Sequence, residues 1–489
     1  MNKKEGFSSA QKKEYPFTPR IINPVKIQNV LIFSADEQIR QTKDVLEKDM
    51  PWITVDVLTD PLFLENIRSE GALVLILDDV AINLANTEVI RQKNKDVIIA
   101  LLSANEFIHC SHPSATQQKY PYTKKADFVF AYNKTDCAPH KIIQSVVRAA
   151  EDQLNVNFYS NVRRFIFLIV DDEPRWFSQF LPVLYSIIGQ RADVIFTRTY
   201  EESLKFLFGV EQESDINEKQ YLSNGHGDDV ICLITDIFFP KGENPKSDAG
   251  KDLVNLVQKY YPRIPTIIAS KTKETESFRN TAFILPKGDP ESLDTLRNYI
   301  RDHAGITDFI IRDTTGDILY RIKNIQEMTK ILDEAGKNTQ KAQKLREILE
   351  VYAQKDSFST WLYMHSYREL GNVIRPIQGH GRKLIAVLKK HMKNEMDRVV
   401  NMPLVIDGKK VYNLGELLDR LTEADPAQIQ ILSDNDIFSS WLDRRGYSEL
   451  AEELRPIHGS GIHLIQALCK TVEKWKNIYT AHPNKKERM

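Results

Sequence analysis

At 489 residues the chain exceeds what one hydrophobic core supports, so about three or four domains are expected, and 42% hydrophobic residues is an ordinary share for a soluble protein. The 66 Lys and Arg against 67 Asp and Glu leave a net charge of −1, which offers no general attraction to nucleic acid or anionic lipid. Apolar runs stop at strand length, the N-terminus lacks the apolar core of a signal peptide, and Cys110, Cys137, Cys232 and Cys469 show no CxxC spacing; a cytoplasmic protein with no membrane or nucleic-acid partner is expected.

Residues 1–26 are polar, carry Lys and Pro and lack periodicity, which predicts a flexible tail. From 27 to 150, NVLIFSAD, ITVDVL, ALVLILDD, DVIIALLSA and ADFVFAYNK read as strands, spaced by segments long enough for crossover helices such as EQIRQTKDVLEKD. His109, Cys110, His112, Cys137 and His140 match no established zinc-ligand spacing and read as loop residues. Residues 151–163 continue a closing helix and link to the next sheet.

Residues 164–303 read as five short apolar strands, with chemistry-bearing residues where the runs stop. FIFLIVDDEP ends in Asp171 and Asp172, VICLITDIFFP in Asp236, PTIIAS in Ser270, and AFILPK delivers Lys287. Parallel strands buried on both faces appear as continuous apolar runs, and open α/β sheets carry their sites at the strands' carboxyl ends. A carboxylate attacking a phosphoryl group must overcome charge repulsion, so a hard cation is needed; magnesium (Mg2+) takes oxygen ligands and suits the role. Asp171, Asp172 and Asp236 are the candidate metal ligands, with the Phe238 backbone carbonyl as a further one. Asp236 is the candidate phosphoacceptor, Lys287 the mobile positive charge and Ser270 the hydroxyl donor. A polar insertion, GVEQESDINEKQYLSNGHGDD, and a lengthened loop after the acceptor, DIFFPKGENPKSDAGKDLV, read as surface excursions, the second placed to gate the pocket or form a partner surface.

VDDEP, LITDIFFP, IIAS and PK together resemble the receiver domain of bacterial two-component response regulators. The resemblance implies a doubly wound, flavodoxin-like α/β fold and phosphorylation of Asp236 by a histidine kinase or phosphotransfer protein. Two departures bear on the rate and lifetime of phosphorylation: Lys271 follows Ser270 where a small residue is usual, and Lys287 is preceded by Pro286 and followed by Gly288. Aligning VLIFSAD on FLIVDDE sets Ser34 and Ala35 against the acidic pair, Asp78 against Asp236 and Ser103 against Ser270, so residues 27–150 read as a degenerate receiver; an unrelated α/β domain is the alternative.

After residue 303 the pattern changes. GITDFIIRDTTGDILYRIKNIQEMTKIL and MPLVIDGKKVYNLGELLDRL each read as a hairpin followed by a helix. Phe358, Trp361, Tyr367, Glu369, Arg375, Gly379 and Leu384 recur at an offset of 80 as Phe438, Trp441, Tyr447, Glu449, Arg455, Gly459 and Leu464, an internal duplication. Two mainly helical modules are expected, 304–395 and 396–477, before a tail at 478–489. The tryptophans read as core, and Arg375 and Arg455 as fixing a turn or pairing with Glu369 and Glu449. His380, between glycines, reads as a poor phosphohistidine.

A receiver with the FFPKGENPKSDAG loop, then GITDFIIRD, then FSTWLYMHSYREL with Arg-Pro beyond, resembles the N-terminal regulatory region of certain bacterial phosphoenolpyruvate synthase or pyruvate phosphate dikinase-like proteins. No glycine-rich phosphate loop is evident, so no dikinase activity is implied. The expectation is a non-enzymatic phosphorelay response regulator with protein–protein output. The rivals are a regulatory subunit for a separate ATP-grasp phosphotransferase, a never-phosphorylated scaffold, and DNA binding through the repeats.

Overall fold

The computed structural model describes residues 26–50, 52–60, 63, 72–105, 108, 120–132, 137–158, 165–189, 191–216, 225–271, 282–289, 291–306, 308–313, 317–375, 377, 379–455, 457 and 459–481. The tail to residue 25, and His109, Cys110 and His112, lie outside the described residues. No helix among those described is long and apolar enough to cross a membrane.

Five apolar runs form the first sheet: β1 (Asn29–Phe33), β2 (Thr54–Leu58), β3 (Leu73–Leu77), β4 (Val97–Ser103) and β5 (Phe128–Ala131). All pair in parallel in the order β2-β1-β3-β4-β5. The central strands β3 and β4 are buried along their whole length, which is why they read as unbroken apolar runs. Short helices α1 (Glu37–Arg40), α2 (Lys43–Asp49), α3 (Ala81–Leu84) and α4 (Thr87–Lys93) flank it, and α5 (Pro139–Phe158) closes it. Eight residues of the expected linker, 151–158, are therefore the last turns of α5.

The second sheet joins β6 (Ile166–Val170), β7 (Asp193–Thr197), β8 (Val230–Thr235), β11 (Thr266–Ser270) and β12 (Phe283–Pro286), again parallel, in the order β7-β6-β8-β11-β12. Its described helices are α6 (Pro174–Ile188), α7 (Tyr200–Phe208), α8 (Ala249–Tyr260) and α9 (Ser292–His303). Counted within each sheet, both orders are 2-1-3-4-5, the flavodoxin-like doubly wound arrangement, whose switch point lies beside the first strand. The lengthened loop after Asp236 is an antiparallel hairpin, β9 (Phe239–Lys241) and β10 (Asn244–Ser247). It is anchored by the buried Phe239, by Lys241 on Asp252 and over the Tyr200 ring, and by Gly242 N donating to Glu201 at 2.8 Å.

The two sheets share a core. Helix α5 packs on α6 and along the outer edge of β7, and Phe130 meets Phe177 edge-on at 6.0 Å. Asp152 accepts from the Val194 backbone N at 2.9 Å and from the Tyr185 hydroxyl at 2.8 Å, so a side chain of the first domain caps the open edge of the second sheet. Burial pushes the Asp152 carboxyl up, with Arg148 pulling it back.

The duplication is repeated element for element. The first copy runs β13 (Phe309–Arg312), β14 (Ile318–Ile322), α10 (Ile325–Gly336), α11 (Gln340–Gln354), α12 (Ser357–Met364), α13 (Arg368–Ile374) and α14 (Gly381–Asn401). The second runs β15 (Leu404–Ile406), β16 (Lys409–Val411), α15 (Leu414–Glu423), α16 (Pro426–Asp434), α17 (Ile437–Arg444), α18 (Ser448–Leu454) and α19 (Gly461–Ala481). Asn324 and Asn413 cap α10 and α15 through Glu327 N and Glu416 N. Those glutamates reach back to the backbone N of Lys323 and Tyr412, one residue ahead of each cap. Trp361 and Trp441 are buried in the two module cores.

Helix α14 carries the first module through residue 401, past the expected boundary at 395, and α19 runs to Ala481, into the expected tail. Arg375 and Arg455 pair with Asp356 and Asp436, the left-handed residues opening α12 and α17, so each arginine sits on a turn. His380 stands just ahead of α14, exposed, with Nδ1 3.1 Å from Glu350.

The first module docks on the second sheet's amino-terminal end: Tyr363 and Met364 enter the shared core, Phe165 lies 6.1 Å from Tyr363, and the buried Arg191 donates to Ile306 O at 2.5 Å. Between modules, Arg455 reaches Ser366 at 3.2 Å and His365 lies 3.8 Å from Asp443, which Arg455 meets within its own module at 3.4 Å. Burial opposes the Asp443 carboxylate, but His365, Arg455 and Ser448 outweigh it and hold its pKa down at about 2. A depressed carboxylate contributes stability present above its ordinary value of 3.8 and lost as pH falls through about 2. Asp443→Asn should therefore flatten the acid limb of the stability profile between those values, measured by urea midpoints against pH; an unchanged limb contradicts the assignment.

Candidate functional site

Adjacent strands bring the four tips together. Val170 pairs with Thr235, Thr235 with Ile268, and Ser270 with Pro286, so the residues just past β6, β8 and β12 are neighbours of Ser270 at the carboxyl edge. Asp236 N donates to Val170 O, and Lys287 N to Ser270 O, each at 2.9 Å, extending the ladders by one bond past the strands. Helix α8 runs up against this edge because residue 250 is glycine: a Cβ there would lie 2.0 Å from Asp236 O.

Lys287 joins the acids. Its ammonium lies 2.7 Å from Asp171 Oδ2 and 2.5 Å from Asp236 Oδ2, with the lysine side chain 1% exposed. Asp236 Oδ1 accepts from Ile237 N at 2.6 Å, and Asp171 Oδ1 from Glu173 N at 2.9 Å. Burial works against the lysine's charge, but Asp171 and Asp236 outweigh it and push its pKa up. One ammonium facing two carboxylates leaves a surplus of negative charge. Burial, opposed by Lys287 and reinforced by Asp236, pushes Asp171 up; burial together with Asp171, Glu173 and Asp236 pushes Asp172 up to about 8.

The predicted Asp171, Asp172, Asp236, Ser270 and Lys287 thus lie at one edge of one sheet, and all but Asp236 are among the buried polar residues. Phe238 follows in the turn before β9, its ring partly exposed. No group of three or more His, Cys, Asp or Glu among the described residues forms a ready-made metal cluster. Lys287 stands between Asp171 and Asp236. The donor chemistry nonetheless fits a hard divalent cation: three carboxylates, oxygen donors only, with more negative charge than one lysine neutralises.

Sequence reading missed the pocket's rim. Trp176 Nε1 donates to Glu173 Oε2 at 2.5 Å, Lys271 Nζ is 3.3 Å from the same carboxylate, and the Lys271 and Lys287 ammoniums lie 4.7 and 5.5 Å from the Trp176 ring centre. It also missed how far the first domain departs from this pattern. Asp78, past β3, is held by four donors: Ser34 Oγ at 2.8 Å and the backbone N of Ala35, Val80 and Ala81 at 2.5, 3.0 and 2.7 Å. Ser103 spends its hydroxyl on Asp79 at 2.8 Å. Ser103 pairs with Ala131 as Ser270 pairs with Pro286, which sets Tyr132 where Lys287 stands; its N donates to Ser103 O at 2.8 Å just as Lys287 N does to Ser270 O. Burial, with Asp36 and Cys137 nearby, pushes the Tyr132 phenol up to about 12. Among the described residues the first sheet has Ser34 and Ala35 where the second has its acidic pair, and Tyr132 where it has Lys287.

No family model and no curated protein matches the chain. Solved structures that it resembles include a protein described as a two-component system response regulator/GGDEF domain protein, at 14% identity over 56% of this chain and 97% of that one, TM-score 0.25. Others are NtrX from Brucella abortus, at 11% over 91% and 100%, TM-score 0.18, and a protein described as sugar binding from Salmonella typhimurium LT2, at 9% over 56% and 86%, TM-score 0.18. Likeness this low carries no argument about function, and the fold rests on the strand order itself. No comparison supports the resemblance to phosphoenolpyruvate synthase-like regulatory regions.

Proposed function

We propose that the protein is a phosphorelay response regulator whose second sheet accepts a phosphoryl group on Asp236. The observation that carries this reading is the Lys287 ammonium held between Asp171 and Asp236 at the carboxyl edge of a doubly wound sheet, with Ser270 on the neighbouring tip. A carboxylate oxygen of Asp236 attacks the phosphorus of a phosphohistidine on a histidine kinase or phosphotransfer protein. The P–O bond forms, the P–N bond breaks and the imidazole leaves. Magnesium, held by carboxylate oxygens of Asp171, Asp172 and Asp236, would supply the positive charge that screens attacking and transferred oxygens from each other. Lys287 follows the new charge, Ser270 donates to a phosphoryl oxygen, and the site gains about 1.5 to 2 negative charges. That change biases the domain between two arrangements and alters what its outer faces and the modules bind, giving a protein–protein output. Asp78, with its oxygens already accepting from four donors and Tyr132 in place of a lysine, takes no phosphate.

The test is thermal unfolding of the full chain with magnesium and beryllofluoride, which mimics the phosphoryl group. The melting temperature should rise for wild type, by ligand linkage, and stay put for Asp236→Asn. No rise in either protein defeats the reading and favours a passive scaffold.

A further inference from the structure

Lys271 stands where its side chain can cover the pocket, and three observations tie it there. Its ammonium lies 3.3 Å from Glu173 and 4.7 Å from the Trp176 ring centre, and it directly follows Ser270, the hydroxyl donor. Glu173 in turn is fixed by the Trp176 indole N–H at 2.5 Å and directly follows the acidic pair. Lys271, Glu173 and Trp176 therefore span the rim from the tip of β11 to the tip of β6. Trp176 is buried, with the Lys271 and Lys287 ammoniums 4.7 and 5.5 Å and the Arg175 guanidinium 4.8 Å from its ring centre.

Resting on the phosphoacceptor reading, we propose that Lys271 is a lid residue that changes partner: Glu173 and the Trp176 face hold it at rest, and the phosphoryl oxygens on Asp236 draw it inward once they arrive. The Lys271–Glu173 pair is suited to such an exchange, because its lysine is 55% exposed and pairs of that kind are held weakly. A phosphoryl group offers more charge and three acceptor oxygens. With Lys271 drawn over it, the acyl phosphate is shielded from water. Hydrolysis needs a water oxygen to bond to phosphorus as the P–O bond to Asp236 breaks, releasing inorganic phosphate and the free carboxylate. The lid therefore lengthens the lifetime of the signal.

The experiment uses the full chain, phosphorylated with acetyl phosphate and magnesium and freed of donor, with loss of acyl phosphate followed by intact-protein mass spectrometry. Lys271→Ala should lose phosphate about two- to five-fold faster than wild type, the scale of one weak ion pair, and Lys271→Arg should restore the slower rate. Equal decay of wild type and Lys271→Ala overturns the lid. The resting contact is read without phosphate: Lys271→Ala should change tryptophan emission in the wild-type background and not in Trp176→Phe. An emission unchanged in both overturns the latch whatever the labelling shows. Failure of wild type to label at all, with the emission change present, locates the fault in the phosphoacceptor reading instead.

Discussion

Incubated with acetyl phosphate and magnesium, the protein should acquire a single acyl phosphate, and Asp236→Asn should acquire none. Acetyl phosphate is attacked by an Asp236 oxygen, acetate leaves, and the product is a mixed anhydride that mild base or hydroxylamine removes. An amide in place of the carboxylate cannot make that bond, so the expected effect is complete. The informative control is Asp78→Asn. Asp78 occupies the same position past the third strand of its own sheet, but its oxygens already accept from Ser34, Ala35, Val80 and Ala81. Among the described residues the neighbouring tip carries Tyr132 where the second sheet has Lys287. Asp78→Asn should label like wild type. Labelling that survives in Asp236→Asn and vanishes in Asp78→Asn would reverse the roles of the two sheets.

The second large effect is on stability. Arg455 is buried and serves Asp436 and Asp443, which are buried with it. Replacing it by methionine keeps much of the volume and leaves two buried carboxylates without their shared cation. Breaking a buried pair from one side costs about 3–5 kcal/mol. Its counterpart Arg375 stands 3.8 Å from Asp356, and in place of Asp443 the first copy has Tyr363, turned into the shared core. Arg375→Met should cost clearly less. Urea midpoints of the two variants, followed by circular dichroism, check this: equal losses would mean that Arg455 acts as an ordinary turn residue and not as the tie between the modules. The position is duplicated; the junction is not.

The strands and their polar ends were legible because a strand buried on both faces leaves an unbroken apolar run, and the run's end marks the edge where chemistry is exposed. Asp171, Asp172, Asp236, Ser270 and Lys287 could be picked out that way without any knowledge of pairing. Tyr132 could not. Its place opposite Lys287 depends on the register that matches Ser103 with Ala131, and a tyrosine ending an apolar run looks like core. The arginine partners were harder to read for a related reason. Proximity in sequence suggested Glu369 and Glu449, whereas Asp356 and Asp436 are brought in by a turn through the left-handed region, visible only in the backbone. The Lys271–Glu173–Trp176 rim joins residues almost a hundred positions apart, beyond the reach of any local pattern.

Asp152 has an implication for how the molecule is built. The hydrogen bond that finishes the outermost strand of the second sheet comes from a helix belonging to the first. Cut free of that helix, the second sheet would expose the outer flank of β7 and the side of α6 beside it, an edge open to strand addition. The first sheet's closing helix thus covers a strand flank that would otherwise be open to pairing with another chain.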